Sequence, residues 1–382
     1  MYSITDYGEM ISDDARMDAY SRALRKVVTP GSVVLDIGTG TGVIAMLAAK
    51  LGARRVFAIE PNDAIFVAQE LAAANGCAGT IQFFQALSTE VTLPEPADVM
   101  VSDMRGILPF YRHHFVAIAD ARARHLAPGG VIIPESDTLW AAAVSAPELY
   151  DSLTSPWSGT MWGLDMSAAR SLAINSFQRL KTQAIDMVSE TRTLGTIDYR
   201  TIASFEFRGA AELPVTQAAT ANGLCVWFNS TLVEGIDISN APDRQPLVYG
   251  RAFFPWLEPV ALEPGDRISV RLAADLIGDH YVWQWHTQVF GPGPTASVKA
   301  DMRQSEFQGE LFSPSTLRKQ SASHVPRLDE NGRIDRLILE LMEDGQALGA
   351  IAREVTKRHP ERFARWQDAL TRVGDLSVRY GR

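Results

Sequence analysis

The residues best suited to chemistry are a glycine loop and two acids. Asp36 is followed by Gly38, Gly40 and Gly42, and Glu60 comes at the end of the next predicted strand. Glycines let the backbone approach a ligand closely at the carboxyl end of a strand. A dinucleotide fingerprint needs its third glycine one residue later, and a P-loop needs a lysine followed by Ser or Thr. The spacing therefore favours a cofactor that has no phosphate.

S-adenosylmethionine is the cofactor that suits this loop, because it carries an amino-acid tail and a ribose but no phosphate. A carboxylate at Glu60 can accept hydrogen bonds from both ribose hydroxyls. Asp36 closes the first strand, where it can meet the ammonium of the tail directly or through water. The alternative is a plain loop with two surface acids at strand ends. We predict S-adenosylmethionine as the cofactor.

Alternating strands and helices position this loop. Apolar strands are predicted at residues 33–37, 55–60, 81–85, 98–102 and 131–134, with helices at 13–27, 43–51, 64–75 and 115–126 and a turn at 128–130. Continuous apolar strands between helices are typical of a parallel sheet. We expect an α/β fold with a Rossmann-like, doubly wound parallel sheet.

The pattern changes after Pro134. Segments 138–144, 200–208, 223–232 and 267–274 are rich in β-branched and aromatic residues, and 291–294 resembles a break near the end of this region. They predict an antiparallel, β-barrel-like domain.

Helical spacing returns near 334–342, 348–358 and 362–376. The predicted domains are N-terminal cofactor-covering helices at 1–30, a cofactor domain at 31–135, a substrate and dimerisation domain at 136–312, and a small helical module at 318–382.

Composition excludes several classes of protein. The chain has 382 residues, of which 46% are hydrophobic and 21% are charged, so it is not a disordered chain. The net charge of -9 argues against a nucleic-acid partner, including an RNA acceptor. Two cysteines cannot form a four-cysteine zinc site, and no cluster has metal-ligand spacing. We found no apolar run of membrane-spanning length, and we expect a cytoplasmic protein without a metal.

Four stretches together resemble the protein arginine methyltransferases, which are class I S-adenosylmethionine-dependent enzymes. The stretches are 9–16 with Tyr20, the loop region 33–60, the segment from Ser102-Asp103-Met104-Arg105-Gly106 to Pro134, and Trp162-Gly163-Leu164-Asp165-Met166-Ser167. The resemblance covers about residues 5–290. It implies a homodimer, because the fourth stretch is similar to the start of that family's dimerisation arm.

The resemblance also implies roles for individual residues at the cofactor. Arg16 would grip the cofactor carboxylate, and Met10 would pack over the reactive end. Gly38 and Glu60 would hold the tail and the ribose. Leu87 and Ser88 fall where the family contacts adenine.

The substrate loop departs from the family, which clamps a guanidinium between two glutamates. The first position is Asp103 and the second is Arg112. At about 4 Å, a like-charge contact costs on the order of 4 kcal/mol at an effective dielectric near 20. The family's threonine-histidine-tryptophan motif is missing from 247–254, and Tyr7 replaces the histidine before the first helix. We expect a different acceptor.

The residues leave alternatives open at the reacting end, where we predict Asp103, Arg112 and Tyr7 as catalytic residues. Asp103 could orient an amine or take its proton. Arg112 could pair with Asp103 or bind an anionic group on the acceptor. The leading hypothesis is methyl transfer to a nitrogen or oxygen of a peptide, protein or small molecule. The alternative is a catalytically inactive regulatory or scaffold protein of the same fold.

The C-terminal module also has two interpretations. Its apolar spacing loosely resembles small helical or winged-helix modules that capture peptides. The other interpretation is a bundle that covers the β domain or supports a dimer.

Overall fold

A computed structural model describes residues 2–181, 184–293, 297–311 and 313–381. The chain forms two compact units, residues 1–310 and residues 311–382. The first unit contains three of the four predicted domains. The predicted domain boundaries stay predictions.

The first unit begins with two helices and a parallel sheet. The elements are α1 (Ile4–Ile11), α2 (Asp14–Val27), β1 (Val33–Ile37), α3 (Val43–Lys50), β2 (Arg55–Ile59), α4 (Ala64–Ala74), β3 (Ile81–Phe84), a 3₁₀ turn (Ser88–Glu90), β4 (Ala97–Ser102), α5 (His114–Arg124) and β5 (Leu126–Ile133). The strand order is β3-β2-β1-β4-β5, and all pairs are parallel. The predicted Rossmann-like sheet is confirmed.

In this region one helix had no predicted bounds, and one local prediction was wrong. Residues 4–11 form a separate helix, since Ser3 caps it by accepting a hydrogen bond from the backbone N–H of Asp6 at 3.2 Å. The predicted turn at 128–130 lies inside β5. Leu126 pairs with Ala97 and Val131 pairs with Val99, so residues 127–130 leave the ladder between these pairs. Gly129 allows this excursion with a φ of 78°.

The rest of the first unit is mainly antiparallel. Its strands are β6 (Ser136–Ser145), β7 (Thr160–Met161), β8 (Leu164–Asp165), β9 (Gln178–Leu180), β10 (Asp186–Met187), β11 (Arg192–Asp198), β12 (Phe207–Pro214), β13 (Ala219–Val233), β14 (Ile236–Ser239), β15 (Arg251–Leu262), β16 (Arg267–Ile277), β17 (His280–Phe290) and β18 (Val298–Ser305). Short helices are α6 (Pro147–Thr154) and α7 (Arg170–Ala173), with 3₁₀ turns at Ser155–Trp157, Ser167–Ala169 and Glu306–Gln308.

These strands form three sheets. One runs β10-β6-β13-β15-β9, with β11 on β6 and β14 on β13. The second runs β12-β16-β17-β18, and β7 with β8 forms a hairpin. Alternating buried residues on β12 and β16 face a core shared with the parallel sheet. The predicted antiparallel β region is confirmed.

One prediction in this region was wrong. Residues 200–206 are not a strand, and β12 begins at Phe207. The predicted break at 291–294 follows β17 and precedes β18, and these two strands pair with each other. Pro294 itself lies outside the described residues.

The second unit is helical, as predicted. Its helices are α8 (Pro314–Gln320), α9 (Glu330–Glu343), α10 (Leu348–Arg358) and α11 (Trp366–Tyr380). A core of Ile334, Ile338, Ile351, Val355 and Val373 joins the last three. The sequence analysis missed α8 and placed the start of α11 four residues too early.

Ligand atoms of Glu330, His359 and Glu361 in this unit lie within 4.8 Å of one another. The two glutamates are exposed, and exposed acids are common without an ion, so this group supports no metal assignment. Among the described residues, no helix combines the length and apolarity that crossing a bilayer requires.

Candidate functional site

A cavity of about 900 Å³ opens at the carboxyl ends of β1, β2 and β4. Strand order reverses between β1 and β4, which is where ligands bind in open α/β sheets. All predicted site residues except Gly42 line it: Tyr7, Met10, Arg16, Asp36, Gly38, Gly40, Glu60, Leu87, Ser88, Asp103 and Arg112. The cavity therefore brings the predicted cofactor and acceptor residues together, and their roles stay predictions.

The glycine loop needs glycine for two reasons. Gly38 and Gly40 have φ values of 74° and 54°, which side chains disfavour. A Cβ on Gly38 would lie 2.6 Å from Cγ of Met104, and one on Gly40 would lie 2.7 Å from Cε1 of Tyr7. The loop therefore has no room for a side chain between β1 and these two neighbours.

Gly42 lies in a different environment from Gly38 and Gly40. It precedes α3 with a φ of 80°, and a Cβ there would lie 2.9 Å from Cβ of Ala68 on α4. The structure places this glycine in the packing of α3 against α4, whereas we had predicted it among the cofactor residues.

Glu60 is buried at the end of β2 and faces the loop. Its carboxylate accepts hydrogen bonds from the backbone N–H of Gly40 at 3.1 Å and of Asn62 at 3.0 Å. The Asn62 side-chain amide donates a third at 2.7 Å. A carboxylate has about four acceptor sites. These three hydrogen bonds fix the carboxylate and leave one acceptor site for a ligand hydroxyl.

Asp36 is fully buried at the end of β1. It accepts a hydrogen bond from the Thr39 hydroxyl at 2.5 Å. Burial raises the pKa of Asp36 to about 7; the Thr39 hydrogen bond opposes this, while the charges of Glu60 and Asp103 add to it. A cation placed beside Asp36 would favour its ionised form.

The remaining predicted cofactor residues surround this end. Leu87 is exposed and Ser88 is buried, and both lie at the 3₁₀ turn after β3. Met10 comes from α1, and its carbonyl accepts a hydrogen bond from Nη1 of Arg16 at 2.9 Å.

Asp103 is held by three donors. Arg16 pairs with it through Nη2 at 2.5 Å, and Arg105 through Nη1 at 3.2 Å. The hydroxyl of Tyr249 donates to the same carboxylate at 2.7 Å. Burial alone would raise the pKa of Asp103, but the two guanidinium charges and these hydrogen bonds outweigh it and hold the pKa below its usual range. Asp103 is therefore ionised, and the positive charges of Arg16 and Arg105 neutralise its negative charge.

The resemblance implies that Arg16 binds the cofactor carboxylate, but in the structure Arg16 pairs with Asp103. In the structure its Nε and Nη2 contact Asp103 at 2.6 and 2.5 Å. Arg16 thus joins α2 to the loop after β4.

Arg105 continues the network into the antiparallel sheet. It is fully buried and pairs with Asp137 of β6 at 2.8 Å. It also donates to the hydroxyl of Tyr20 at 3.0 Å and of Ser230 at 2.7 Å. One guanidinium therefore connects α2, the loop after β4, β6 and β13.

Arg112 lies apart from this network. Its side chain is exposed, lines the cavity, and has its guanidinium carbon 5.6 Å from the ring centre of Tyr111. Its φ of 45° is uncommon for a residue other than glycine. Within the described ranges Arg112 has no ion pair, so the alternative in which it pairs with Asp103 is not what the structure contains.

Tyr7 lies within α1, where we had expected it before the first helix. Its ring contacts the glycine loop at Gly40. Burial and the charge of Glu60 raise the pKa of Tyr7 to about 12, so its hydroxyl is protonated at neutral pH.

The adjacent histidines differ. His113 is exposed, whereas His114 is buried with its Nε2 3.4 Å from the hydroxyl of Tyr199. Burial, aided by the charge of Arg105, lowers the pKa of His114 to about 3, so His114 is neutral at physiological pH.

Comparisons with known proteins identify the family of this chain. A family model described as ribosomal protein L11 methyltransferase (PrmA) matches residues 21–134. An arginine N(omega)-methyltransferase of Streptomyces achromogenes is 31% identical over 69% of this chain and 74% of its own. The chain belongs to the arginine N-methyltransferase family.

Two other matches either cover a smaller part of each chain or have a lower sequence identity. A probable protein arginine N-methyltransferase 6 of Arabidopsis thaliana is 30% identical over 58% of this chain, which spans 53% of that relative. The PRMT1 enzyme–prozyme heterotetrameric complex of Trypanosoma brucei with AdoHcy matches with a TM-score of 0.71 and 21% identity. This match covers 78% of this chain and 97% of that one, and it confirms the methyltransferase fold.

Sequence reasoning missed several residues of the acceptor end. Tyr249 comes from the segment where the family motif was sought, and Tyr2 and Tyr111 line the same cavity. Arg105 belongs to a segment that carries the resemblance, but it was not predicted as a site residue, although its charge two positions from Asp103 was a usable signal. Arg179 lies on β9, and no sequence feature connects it to the cavity.

Proposed function

We propose that this protein is an S-adenosylmethionine-dependent methyltransferase. The residues fit that cofactor, because glycines whose Cβ positions are blocked line a cavity beside two buried carboxylates. Glu60 would hold the ribose, and Asp36 would face the cationic end of the amino-acid tail. When bound, the cofactor supplies a methyl group already activated by a sulfonium. The protein's task is then to orient a neutral nucleophile and exclude water.

The acceptor is proposed to be a nitrogen or oxygen of a peptide, protein or small molecule, but not an ordinary protein arginine. One observation carries this proposal: the acceptor end of the cavity has no uncompensated carboxylate on its substrate loop. Asp103 is neutralised by Arg16 and Arg105, and Arg112 adds a positive charge. A guanidinium substrate would meet repulsion there without a counter-charge.

The same network favours a second candidate, a catalytically inactive regulatory or scaffold protein that keeps the cofactor site. Both oxygens of Asp103 accept hydrogen bonds from charged or hydroxyl donors, and its pKa is low. A carboxylate in this state is a weak base. In the scaffold protein, bound cofactor would stabilise the fold without turnover.

One experiment separates these candidates. S-adenosylmethionine binding is measured by calorimetry, and S-adenosylhomocysteine release is measured with arginine peptides, other peptides, amino acids and small amines. Binding with release on a non-arginine acceptor supports the enzyme. Binding without release on any acceptor supports the scaffold, release on arginine peptides overturns the acceptor proposal, and absence of binding overturns the cofactor assignment. Reactions without acceptor serve as the background.

We further propose that the chain forms a homodimer through the β7–β8 hairpin. Trp162 at its tip is 94% exposed and has a φ of 58°. Leu164 of the same hairpin is 63% exposed, and exposed patches of apolar side chains mark association surfaces. We expect Trp162→Ser to shift a dimer toward monomer in sedimentation at micromolar concentration, and Tyr380→Ser, which removes another exposed ring, to leave it unchanged. A monomeric wild-type chain would contradict this proposal.

A further inference from the structure

Two guanidinium groups at the acceptor end of the cavity lack a carboxylate partner. Arg112 has no ion pair or side-chain hydrogen bond in the described part of the chain, and stacks near Tyr111. Arg179 donates to the backbone carbonyls of Val248 and Tyr249. Neither residue has an acid within ion-pair distance among the described residues. Both positive charges therefore remain available to a ligand.

Each acid that lines the same cavity has a partner other than Arg112 and Arg179. Asp103 is neutralised by Arg16 and Arg105. The others are held as follows: Asp6 by Ser3, Glu9 by Lys181 at 3.6 Å, Asp36 by Thr39, Glu60 by Gly40 and Asn62, and Asp279 near His280 at 3.2 Å. The cavity is thus divided, with buried carboxylates at the glycine loop and uncompensated guanidinium groups at the other end.

The backbone at Arg112 adds an independent observation. A φ of 45° is sparsely populated by residues that carry a side chain, and such residues cluster at functional sites. This conformation occurs where the loop after β4 leads into α5, and the Arg112 side chain lines the cavity. An arginine that has no partner at this position is better suited to binding a ligand than to forming a structural ion pair.

Three tyrosines provide an apolar wall beside this charge. Tyr2 stacks on Tyr111 with ring centres 6.3 Å apart, and meets Tyr7 edge-on at 5.9 Å. Arg112 lies over Tyr111, and Arg179 is close enough to Tyr2 to act on its pKa. Rings next to a guanidinium suit a flat organic molecule with a negative group.

We propose that the methyl acceptor carries an anionic group, a carboxylate or a phosphate, which Arg112 binds while Tyr2, Tyr7 and Tyr111 enclose the rest of the molecule. This inference rests on the proposed methyltransferase function. A volume of about 900 Å³ is at the upper end of the range for a small-molecule pocket. It leaves room for a small acceptor beside the cofactor.

The test uses the full chain saturated with S-adenosylhomocysteine and three probes of similar shape. Benzoate and phenyl phosphate carry the two candidate anions, and benzamide is neutral. We expect one anionic probe to bind at least about tenfold more tightly than benzamide. The probe that binds more tightly identifies the anionic group of the acceptor as a carboxylate or a phosphate. Arg112→Asn, which removes the charge but tolerates the left-handed backbone, should weaken the preferred anion about tenfold and leave benzamide unchanged.

Controls separate this inference from the function on which it rests. Arg25→Gln removes another exposed arginine, from α2, and should bind every probe as the wild type does. Arg112→Lys keeps the charge and should retain part of the anion preference. Equal binding of anionic and neutral probes, no binding of any probe, or an unchanged anion affinity in Arg112→Asn would overturn the inference. Failure of S-adenosylhomocysteine itself to bind would instead overturn the proposed function.

Discussion

The two ends of the cavity are built in different ways. At the glycine loop, the carboxylates of Asp36 and Glu60 are held by a hydroxyl, an amide and backbone N–H groups close in sequence. At the acceptor end, the carboxylate of Asp103 is held by two guanidinium groups, that of Arg16 from α2 and that of Arg105 from the same loop. The carboxylates at the first end have uncharged partners and can pair with a cationic ligand, whereas the second end cancels its negative charge internally. The difference teaches that acids at the two ends of one cavity can have opposite roles, set by their partners.

The largest expected effect tests whether the acceptor end is a structural ion-pair network. Arg105→Met should lower the free energy of unfolding by about 3–5 kcal/mol, because it leaves Asp137 buried without its cation. Urea denaturation measures this loss. Arg54→Met removes an exposed arginine that pairs with Glu95 and should change stability little. Equal stability of the two variants would show that the buried network does not hold the acceptor end.

A second prediction concerns the cofactor end. Glu60→Ala should weaken S-adenosylmethionine binding by roughly 1.5–3 kcal/mol, the scale of hydrogen bonds to a charged group. Calorimetry at constant pH measures the change. Glu70→Ala, which removes an exposed acid from α4, is the control and should bind normally. An unchanged affinity in Glu60→Ala would refute the ribose assignment.

The pH dependence of cofactor binding sharpens the same contrast. Since the pKa of Asp36 is raised to about 7, a cationic tail binds best to the ionised form above that pH. We expect affinity to rise several-fold between pH 6 and about pH 7.5, with proton release on binding below pH 7, and to fall again above about pH 8 as the ammonium of the tail loses its proton. Asp36→Asn should remove the rise. An affinity that falls between pH 6 and pH 7 contradicts the prediction.

The smallest expected effect comes from reversing the charge at the acceptor end. Arg112→Glu restores an acid at the second position of the substrate loop and should allow measurable, weak binding of an arginine peptide. The neighbouring charges of Arg16 and Arg179 limit the gain. Arg112→Gln, which only removes the charge, is the control. If neither variant binds the peptide better than wild type does, the alignment of this loop with the family is incorrect.

Local features explain which parts of this molecule were predictable. The glycine loop, Asp36 and Glu60 lie within 25 residues, and strand–helix alternation places them on one sheet edge. Tyr249 and Arg105 reach Asp103 and Asp137 across 146 and 32 positions of sequence, through pairings that no local pattern contains. The parallel sheet was predicted for the same reason, whereas α1 and the excursion within β5 depend on a cap and a left-handed glycine.

The four-segment contact of Arg105 has a consequence for how ligands enter. Because α2, the loop after β4, β6 and β13 share this guanidinium, displacing any one of them would break a buried ion pair or a buried hydrogen bond. The first helix, α1, has no buried residue, yet it supplies Tyr7 and Met10 to the cavity wall. Moving α1 would therefore disturb less packing than moving α2, which buries five residues. We expect the amino-terminal helix to be the part of the cavity wall that opens most readily when small molecules enter or leave.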